Sequence, residues 1–509
     1  MLNSIIKINN LSKHYQVDKT KIVLIYPRGG DIKLGIPLAF GYLKSNVDAD
    51  KYDIKIIDCT LDDIDPSSPD FIMRIKQMSP DIVGTSSWSV NFPEALTVLK
   101  IVKQIDPSIT TIFGGPHATV FAEKVIKNEK IDFVFRGEAE LSFPVFLNEL
   151  KKVNPDFSRV EGLVYENEKG ETILSEIARI ENPDDVKIPD YSAINLERYI
   201  EKGYRYHNSK ERNAPIWATR GCPYRCAFCS VPKINGRKVR KHSIEYMIRW
   251  VKFLYKKHNI RGFVIIDDNF TFDIEYAKAF CREIIKLGYK DIEFNCPNGV
   301  RMQRGDYELW SLMRQAGWCT IVIAPESGSK RVLQSLRKDL DPEEVPNIVK
   351  DIKKAKLKVH GFFMVGCPGE TKEDLKETES LIKECKFNGL SITNFQPMPG
   401  TLVYDELIKR GEIASDFLPA FFGKRVYVPS TLRDFDLEKF VSRVIETNHA
   451  ENTWNNIFKN MGFTPPRILG GFWKIVHICF VFFEPRIRKI MPRKLKDWII
   501  KHFAKNVYK

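Results

Sequence analysis

Short apolar runs recur in two series along the chain, and each run is followed by a stretch with helical spacing. The first series is KIVLIYP (21–27), YDIKIIDC (52–59), DIVGTSS (81–87), TTIFGGP (110–116) and IDFVFRGE (131–138). Stretches such as FPEALTVLKIVKQI (92–105) lie between them. Parallel strands cannot be joined by tight turns, so strands that alternate with helices predict an open parallel sheet wound on both faces. Glycine or small polar residues follow the strands at the ends where such sheets bind ligands.

The second series starts at 214. Its expected strands are APIWATR (214–220), GFVIID (262–267), DIEFNC (291–296), CTIVIA (319–324), KVHGFFMVG (358–366) and LSITNF (390–395). Six βα units are too few for a closed eight-stranded barrel, so a partial (β/α)6 barrel is predicted. The domain reading is an N-terminal extension (1–20), a doubly wound sheet (21–150), an irregular linker (151–213), the barrel (214–425) and a helical, basic C-terminal region (426–509).

At 509 residues, 43% hydrophobic and 28% charged, the chain is neither disordered nor collagen-like. The first residues contain no continuous apolar segment of a signal peptide, and no run of about 18 uncharged apolar residues occurs. A cytoplasmic protein is expected. The net charge of +14 suggests an anionic partner, but nothing resembles a nucleic-acid module, and none is expected to bind.

Three of the ten cysteines crowd into Gly221-Cys222-Pro223-Tyr224-Arg225-Cys226-Ala227-Phe228-Cys229, directly after the first strand of the second series. The spacing is Cys-x3-Cys-x2-Cys. Structural zinc wants four ligands, and no fourth Cys or paired His lies nearby. Three thiolates on one loop suit three corners of a cubane cluster, with the fourth iron open to a small molecule.

This motif resembles that of the radical S-adenosylmethionine (SAM) enzymes, with Phe228 at the family's aromatic position. The resemblance implies a [4Fe-4S] cluster on Cys222, Cys226 and Cys229, and SAM chelated at the open iron. Further segments are similar to family motifs in the same order. Asp267-Asp268-Asn269-Phe270 resembles DDxF, and Ala324-Pro325-Glu326-Ser327-Gly328-Ser329 resembles ESGS with an unusual Ala-Pro before it. Gly366-Cys367-Pro368-Gly369-Glu370-Thr371 resembles GxPGET, and Gln396-Pro397-Met398-Pro399-Gly400-Thr401 resembles PxPGT. The implied SAM-binding residues are Asp268, Arg301, Glu326, Ser327, Gly366, Gly369 and Gln396. The remaining cysteines form no second CxxC, so no auxiliary cluster is expected.

The first sheet resembles the cobalamin-binding module that precedes the barrel in one large subclass. The matching residues are the helix start Leu34–Leu43, Gly84-Thr85-Ser86-Ser87, Gly114-Gly115-Pro116-His117-Ala118 and Arg136-Gly137-Glu138-Ala139-Glu140. Gly84, Thr85, Ser86, Gly114 and Gly115 are the implied cofactor contacts. DxHxxG, whose His ligates cobalt in many B12 proteins, is absent; Asp31-Ile32-Lys33-Leu34-Gly35-Ile36 stands there instead. The resemblance therefore implies a His-off cobalamin, and His117 is not expected on cobalt. A sheet holding no cofactor, or another ligand in the same crevice, stays open on sequence alone.

The implied chemistry is reductive cleavage of SAM to a 5′-deoxyadenosyl radical, then methylation of an unactivated carbon from methylcobalamin. Radical rearrangement or oxidative cyclisation without methyl transfer, as in the anaerobic porphyrin cyclases of the subclass, is the enzymatic alternative. A non-catalytic SAM or cobalamin sensor is a third. The expected partners are a small-molecule or lipid-linked substrate and an electron donor such as flavodoxin or ferredoxin. Between Thr464 and Lys509 stand eleven Lys and Arg against Glu484 and Asp497, interleaved with Trp and Phe. That composition suits peripheral contact with anionic lipid on the inner face of a membrane. Helices that cap the barrel are the alternative.

Overall fold

A computed structural model describes residues 19–28, 35–204, 209–420 and 424–460, with side chains to 450. The N-terminal sheet runs β1 (Thr20–Tyr26), β2 (Tyr52–Asp58), β3 (Ile82–Ser86), β4 (Thr110–Gly114) and β5 (Phe133–Phe135). Two further strands, β6 (Leu163–Glu166) and β7 (Thr172–Leu174), follow. The spatial order is β2-β1-β3-β4-β5-β6-β7. The first five are parallel, and β6 and β7 are antiparallel additions.

One face of this sheet buries Val23, Ile25, Val83, Phe113 and Val134 against Val98, Leu99 and Val102 of the helix Phe92–Ile105. Each fully buried side chain of this size contributes about 1.5–3 kcal/mol of transfer free energy. The strand runs read as near-continuous apolar stretches because both faces are covered.

The hairpin β6–β7 corrects the expectation of an irregular linker over 151–213. Two short runs, LVYE and TIL, flank a turn in which Gly170 adopts φ +77°. Each run is too short to stand out as a strand, but paired against β5 they close its open edge.

The second series gives β8 (Asn213–Ile216), β9 (Thr219–Arg220), β10 (Arg240–Lys241), β11 (Gly262–Ile265) and β12 (Glu293–Asn295). It continues through β13 (Thr320–Glu326), β14 (Lys358–Val365) and β15 (Gly389–Asn394). Six of these make the partial barrel, as two parallel three-stranded ladders, β8-β11-β12 and β13-β14-β15. Two isolated parallel bridges, Phe294 to Trp318 and Val300 to Ile323, join the ladders. Stacked rings fill this join: Phe263 lies 5.0 Å from Phe294, which lies 4.6 Å from Trp318.

The run 214–220, expected as one strand, is two. The buried Asp267 carboxylate accepts from the Ala218 amide and the Thr219 hydroxyl, both at 2.7 Å. It thereby holds the chain off the ladder after Ile216, and β9 pairs instead with β10 in antiparallel fashion.

The helix Leu437–Asn460 is the last described element. The basic segment expected to touch membrane lies outside the described residues. Among the described residues no helix is long and apolar enough to cross a membrane.

Candidate active site

The cysteine loop leaves β9 through Gly221, whose φ of +90° and crowding by the Lys238 carbonyl exclude a side chain. Cys222, Cys226 and Cys229 are free and half-buried. The loop is pinned by backbone bonds from Cys222 to the Gly236 carbonyl (3.1 Å) and from Ala227 to Leu336 (2.8 Å). Burial pushes the Cys222 thiol up and the Cys229 thiol up to about 12; the Cys226 charge raises both further, and the Cys222 charge raises Cys229. A positive metal centre would reverse both effects and deprotonate the thiols. Among the described residues no three His, Cys, Asp or Glu side chains close into a compact metal site. Three free thiols on one loop fit the donor set of an iron–sulfur cubane.

Around the loop the structure sorts the sequence-predicted residues into two groups. Asp268 accepts from the Gly221 amide at 3.2 Å and the Asn235 amide at 2.8 Å, so its carboxylate braces the loop itself. Asn269, which sequence reasoning passed over, is buried, hydrogen-bonds Cys222 and leaves Oδ1 without a partner. The guanidinium of Arg301 lies 4.0 Å from the Tyr224 ring centroid and donates to the Asp339 carbonyl. Glu326 ends β13 at φ +69°, after a register shift that begins at Ile323. A non-glycine residue there is strained, and the strain aims its carboxylate at Lys338, 3.0 Å away. Lys338 in turn sits 5.9 Å from the Phe228 ring centroid. Glu326 and Arg301 thus stand beside the cysteine loop.

Ser327 and Gln396 do other work. The Ser327 hydroxyl is fully buried against Thr378 at 3.1 Å and accepts from the Ser329 amide. Gln396 accepts from Ala420 at 2.9 Å and donates to the Lys424 carbonyl. Both side chains hold neighbouring loops rather than an open cavity, a result invisible in motif spacing. Gly366 and Gly369 adopt φ of +78° and +72°. The turn they form donates the Gly366 and Cys367 amides to Glu370, at 2.5 and 3.1 Å. Burial pushes the Glu370 carboxyl up to about 7.

At the C-terminal edge of the first sheet, Gly84 faces Leu24 so closely that an added Cβ would meet its Cδ2 at 2.9 Å. Thr85 donates to the Ile25 carbonyl at 2.9 Å. Gly115 has φ +91°, and a Cβ there would collide with the Ser86 hydroxyl. Ser87 is buried with its Oγ unpartnered. An orphaned hydroxyl beside a floor without side chains at 114 and 115 fits a bulky polar ligand laid against the strand ends. Ser87 is one of the small hydroxyl residues at 85–87 that the resemblance sets against the corrin amides.

His117 is buried, stacked on Phe92 at 4.0 Å, with Nδ1 3.0 Å from the Ser89 hydroxyl. Its ring belongs to the core. Burial, with a smaller contribution from Lys124, pushes its pKa down to about 4. The unfolded chain therefore binds a proton between about pH 6.5 and 4 that the folded chain refuses, so folding stability falls as pH drops through that window. His117→Phe is expected to remove roughly 3 kcal/mol of this acid sensitivity. Denaturant midpoints at pH 7 and pH 4.5 check it; equal pH dependence in variant and parent would contradict the assignment.

The two sheets meet through buried charge. Glu138 and Glu140 follow β5; Arg220 ends β9, two residues before Cys222; Arg240 starts β10. Arg240 grips both Glu138 oxygens, at 2.5 and 2.6 Å. Arg220 Nη1 lies 2.8 Å from Glu140 and 3.3 Å from Glu138. Burial disfavours the Glu138 charge, but Arg240 and Arg220 more than offset it and hold its pKa below the usual range. The Arg220 guanidinium also lies 4.4 Å from the Trp217 ring centroid. A second contact runs from Gly400, after β15, whose added Cβ would meet Val120 of the helix Gly115–Ile126 at 3.1 Å. The ligand-binding edges of both sheets are therefore brought together.

Fold and site define a class: a SAM-cleaving barrel joined to a corrinoid-type sheet. Residues 218–382 match the Radical SAM superfamily, and residues 33–147 match the B12 binding domain. An uncharacterised methyltransferase of Pyrococcus horikoshii is 31% identical over 377 residues, covering 74% of this chain and 79% of the relative. The anaerobic magnesium-protoporphyrin IX monomethyl ester cyclase of Rubrivivax gelatinosus is 26% identical over 459 residues, covering 87% and 79%. Among solved structures, the radical SAM methyltransferase TsrM of Kitasatospora setae, with tryptophan and a SAM analogue bound, superposes with a TM-score of 0.68. That match has 14% identity and covers 85% of this chain and 90% of TsrM. The chain belongs to the radical SAM enzymes that carry an N-terminal B12-binding domain. It is an enzyme whose cofactors are a [4Fe-4S] cluster, SAM and cobalamin.

Proposed function

We propose that this enzyme methylates an unactivated carbon of a small molecule by way of cobalamin. The observation that carries the reading is the buried Glu138, Glu140, Arg220 and Arg240 cluster, which fixes the strand ends of the B12-type sheet beside the cysteine loop. When bound, the cluster and SAM supply reductive SAM cleavage, and cobalamin supplies a transferable methyl group. The chain's own residues then have the following roles. Cys222, Cys226 and Cys229 ligate the cluster, with Asp268 and Asn269 bracing their loop. Arg301, Glu326, Gly366 and Gly369 line the SAM side, where charge and bare backbone suit its amino-acid and adenine ends. Gly84, Thr85, Ser86, Ser87, Gly114 and Gly115 form the floor for the corrinoid tail, and no histidine among the described residues is assigned to cobalt. Peripheral contact with anionic lipid through the basic segment 464–509 belongs to the same proposal and is supported by composition alone.

Product mass tests it. Anaerobic turnover with cobalamin is expected to add one CH2 per substrate and to form S-adenosylhomocysteine together with 5′-deoxyadenosine. The cyclase similarity, which spans most of the chain, favours a second reading: oxidative cyclisation or rearrangement. A product with no methyl gain, formed alongside 5′-deoxyadenosine, would decide for that one.

A further inference from the structure

One turn of the helix Lys372–Cys385 receives the loops that follow β13 and β14. From the first loop, the Ser329 hydroxyl donates to Asp374 Oδ1 at 2.6 Å, and the Gly328 amide donates to the Thr378 hydroxyl at 3.0 Å. Gly328 packs so closely that an added Cβ would meet the Glu377 carbonyl at 2.5 Å. From the second loop, the Thr371 amide and hydroxyl both donate to Asp374 Oδ2 at 2.8 Å. Arg331 spans the two, donating to Asp374 and, at 2.8 Å, to the Gly369 carbonyl. Asp374 and Thr378 stand four residues apart on one helix face, and both are buried. Burial opposes the Asp374 charge, but bonds from Arg331, Ser329 and Thr371 more than offset it and hold its pKa down at about 2.

The Thr378 hydroxyl has one proton, which the Asp374 carbonyl accepts at 3.1 Å. Thr378 therefore accepts from the Ser327 hydroxyl, 3.1 Å away, as it does from Gly328. Ser327 in turn accepts the Ser329 amide at 3.1 Å. These three residues directly follow Glu326, whose φ of +69° is strained and persists only where its surroundings over-determine it. We infer that Asp374 and Thr378 are positioning residues for SAM: their turn of helix holds Glu326 in its left-handed conformation and fixes it relative to the Gly366–Gly369 turn. The inference rests on the reading of Glu326, Gly366 and Gly369 as the SAM side. Neither Asp374 nor Thr378 is assigned a contact with SAM. Loops set before binding need not be ordered by the ligand, so loosening them lowers affinity without removing a contact.

Thr378→Val keeps the shape and strands the Gly328 amide and the Ser327 hydroxyl. In anaerobic calorimetry the reconstituted variant should bind SAM about tenfold or more weakly than the parent. The KM for SAM in dithionite-driven 5′-deoxyadenosine release should rise similarly while kcat changes less. Iron content and cobalamin retention should match the parent. Thr378→Ser restores the hydroxyl and should bind SAM within about twofold of the parent. Parent-like SAM affinity in Thr378→Val, or a Thr378→Ser variant as weak as Thr378→Val, would overturn the proposal. If Thr378→Val also loses iron and cobalamin, Arg331→Gln decides, because Arg331 is exposed and the fold does not depend on it. Weaker SAM binding with full iron is expected there, and unchanged affinity would overturn the proposal. Glu326→Ala separates the two readings. Weak SAM binding in that variant beside parent-like affinity in the Thr378 and Arg331 variants would remove this inference alone. Parent-like affinity in Glu326→Ala would remove the SAM-side reading, and this inference with it.

Discussion

The variant carrying Cys222→Ala, Cys226→Ala and Cys229→Ala is expected to lose its iron–sulfur absorbance completely and to cleave SAM no faster than background. No other cysteine among the described residues is placed to substitute. Cys59 and Cys385 are buried, and burial pushes both thiols up to about 12. Neither shares a loop with the triad: Cys59 lies in the core of the first sheet, and Cys385 ends the helix Lys372–Cys385. Cys319 is exposed but stands alone. The three replaced side chains are only half-buried, so the fold should lose no more than about 1 kcal/mol of stability. Iron content, the visible spectrum and 5′-deoxyadenosine release measure the effect. Far-ultraviolet circular dichroism checks that both sheets persist. Retention of a full iron complement would sink the assignment of the triad.

The second large effect is expected at Arg220. It is 1% exposed, and Glu140 takes its charge at 2.8 Å. Arg220→Met leaves Glu140 buried without its cation, a situation that costs about 3–5 kcal/mol. The denaturant midpoint should therefore drop sharply. Adding Glu140→Leu to the same chain removes the stranded charge, and most of the lost stability should return. Cluster content in the double variant then separates two roles. If iron loading stays low while stability recovers, Arg220 positions the cysteine loop; full loading would confine it to joining the sheets. A single variant as stable as the parent would show that the ion cluster does not hold these elements together.

Most of this architecture was legible because parallel sheets write themselves plainly. β1, β3 and β4 are buried on both faces over most of their length, and their runs are largely apolar and bounded by small residues, so their positions followed from the pattern alone. The cysteine loop was legible for a different reason: its chemistry is local, and spacing within nine residues expresses it. Two kinds of feature were not. The hairpin β6–β7 has strands too short to carry a period, and its existence depends on the edge of β5. The partners of Ser327 and Gln396 come from distant segments, at Thr378 and at Ala420 and Lys424, and motif order carries no information about such contacts. The Glu138 and Arg220 cluster belongs with these. Each residue was visible, but their meeting across the two sheets was a tertiary fact.

The join between the barrel's two ladders has a consequence of its own. Strand pairing is continuous within β8-β11-β12 and within β13-β14-β15, while two single bridges span the gap. At about 1 kcal/mol for each net backbone hydrogen bond, the backbone itself does little to keep the halves in register there. The rings of Phe263, Phe294 and Trp318 carry that duty, and stacked rings resist sliding less than a ladder of directional bonds does. The cysteine loop is rooted in the first half and Glu326 with Gly366 in the second. A molecule that touched both would act as a splint across the seam, and the barrel's stiffness would become a property of its occupancy.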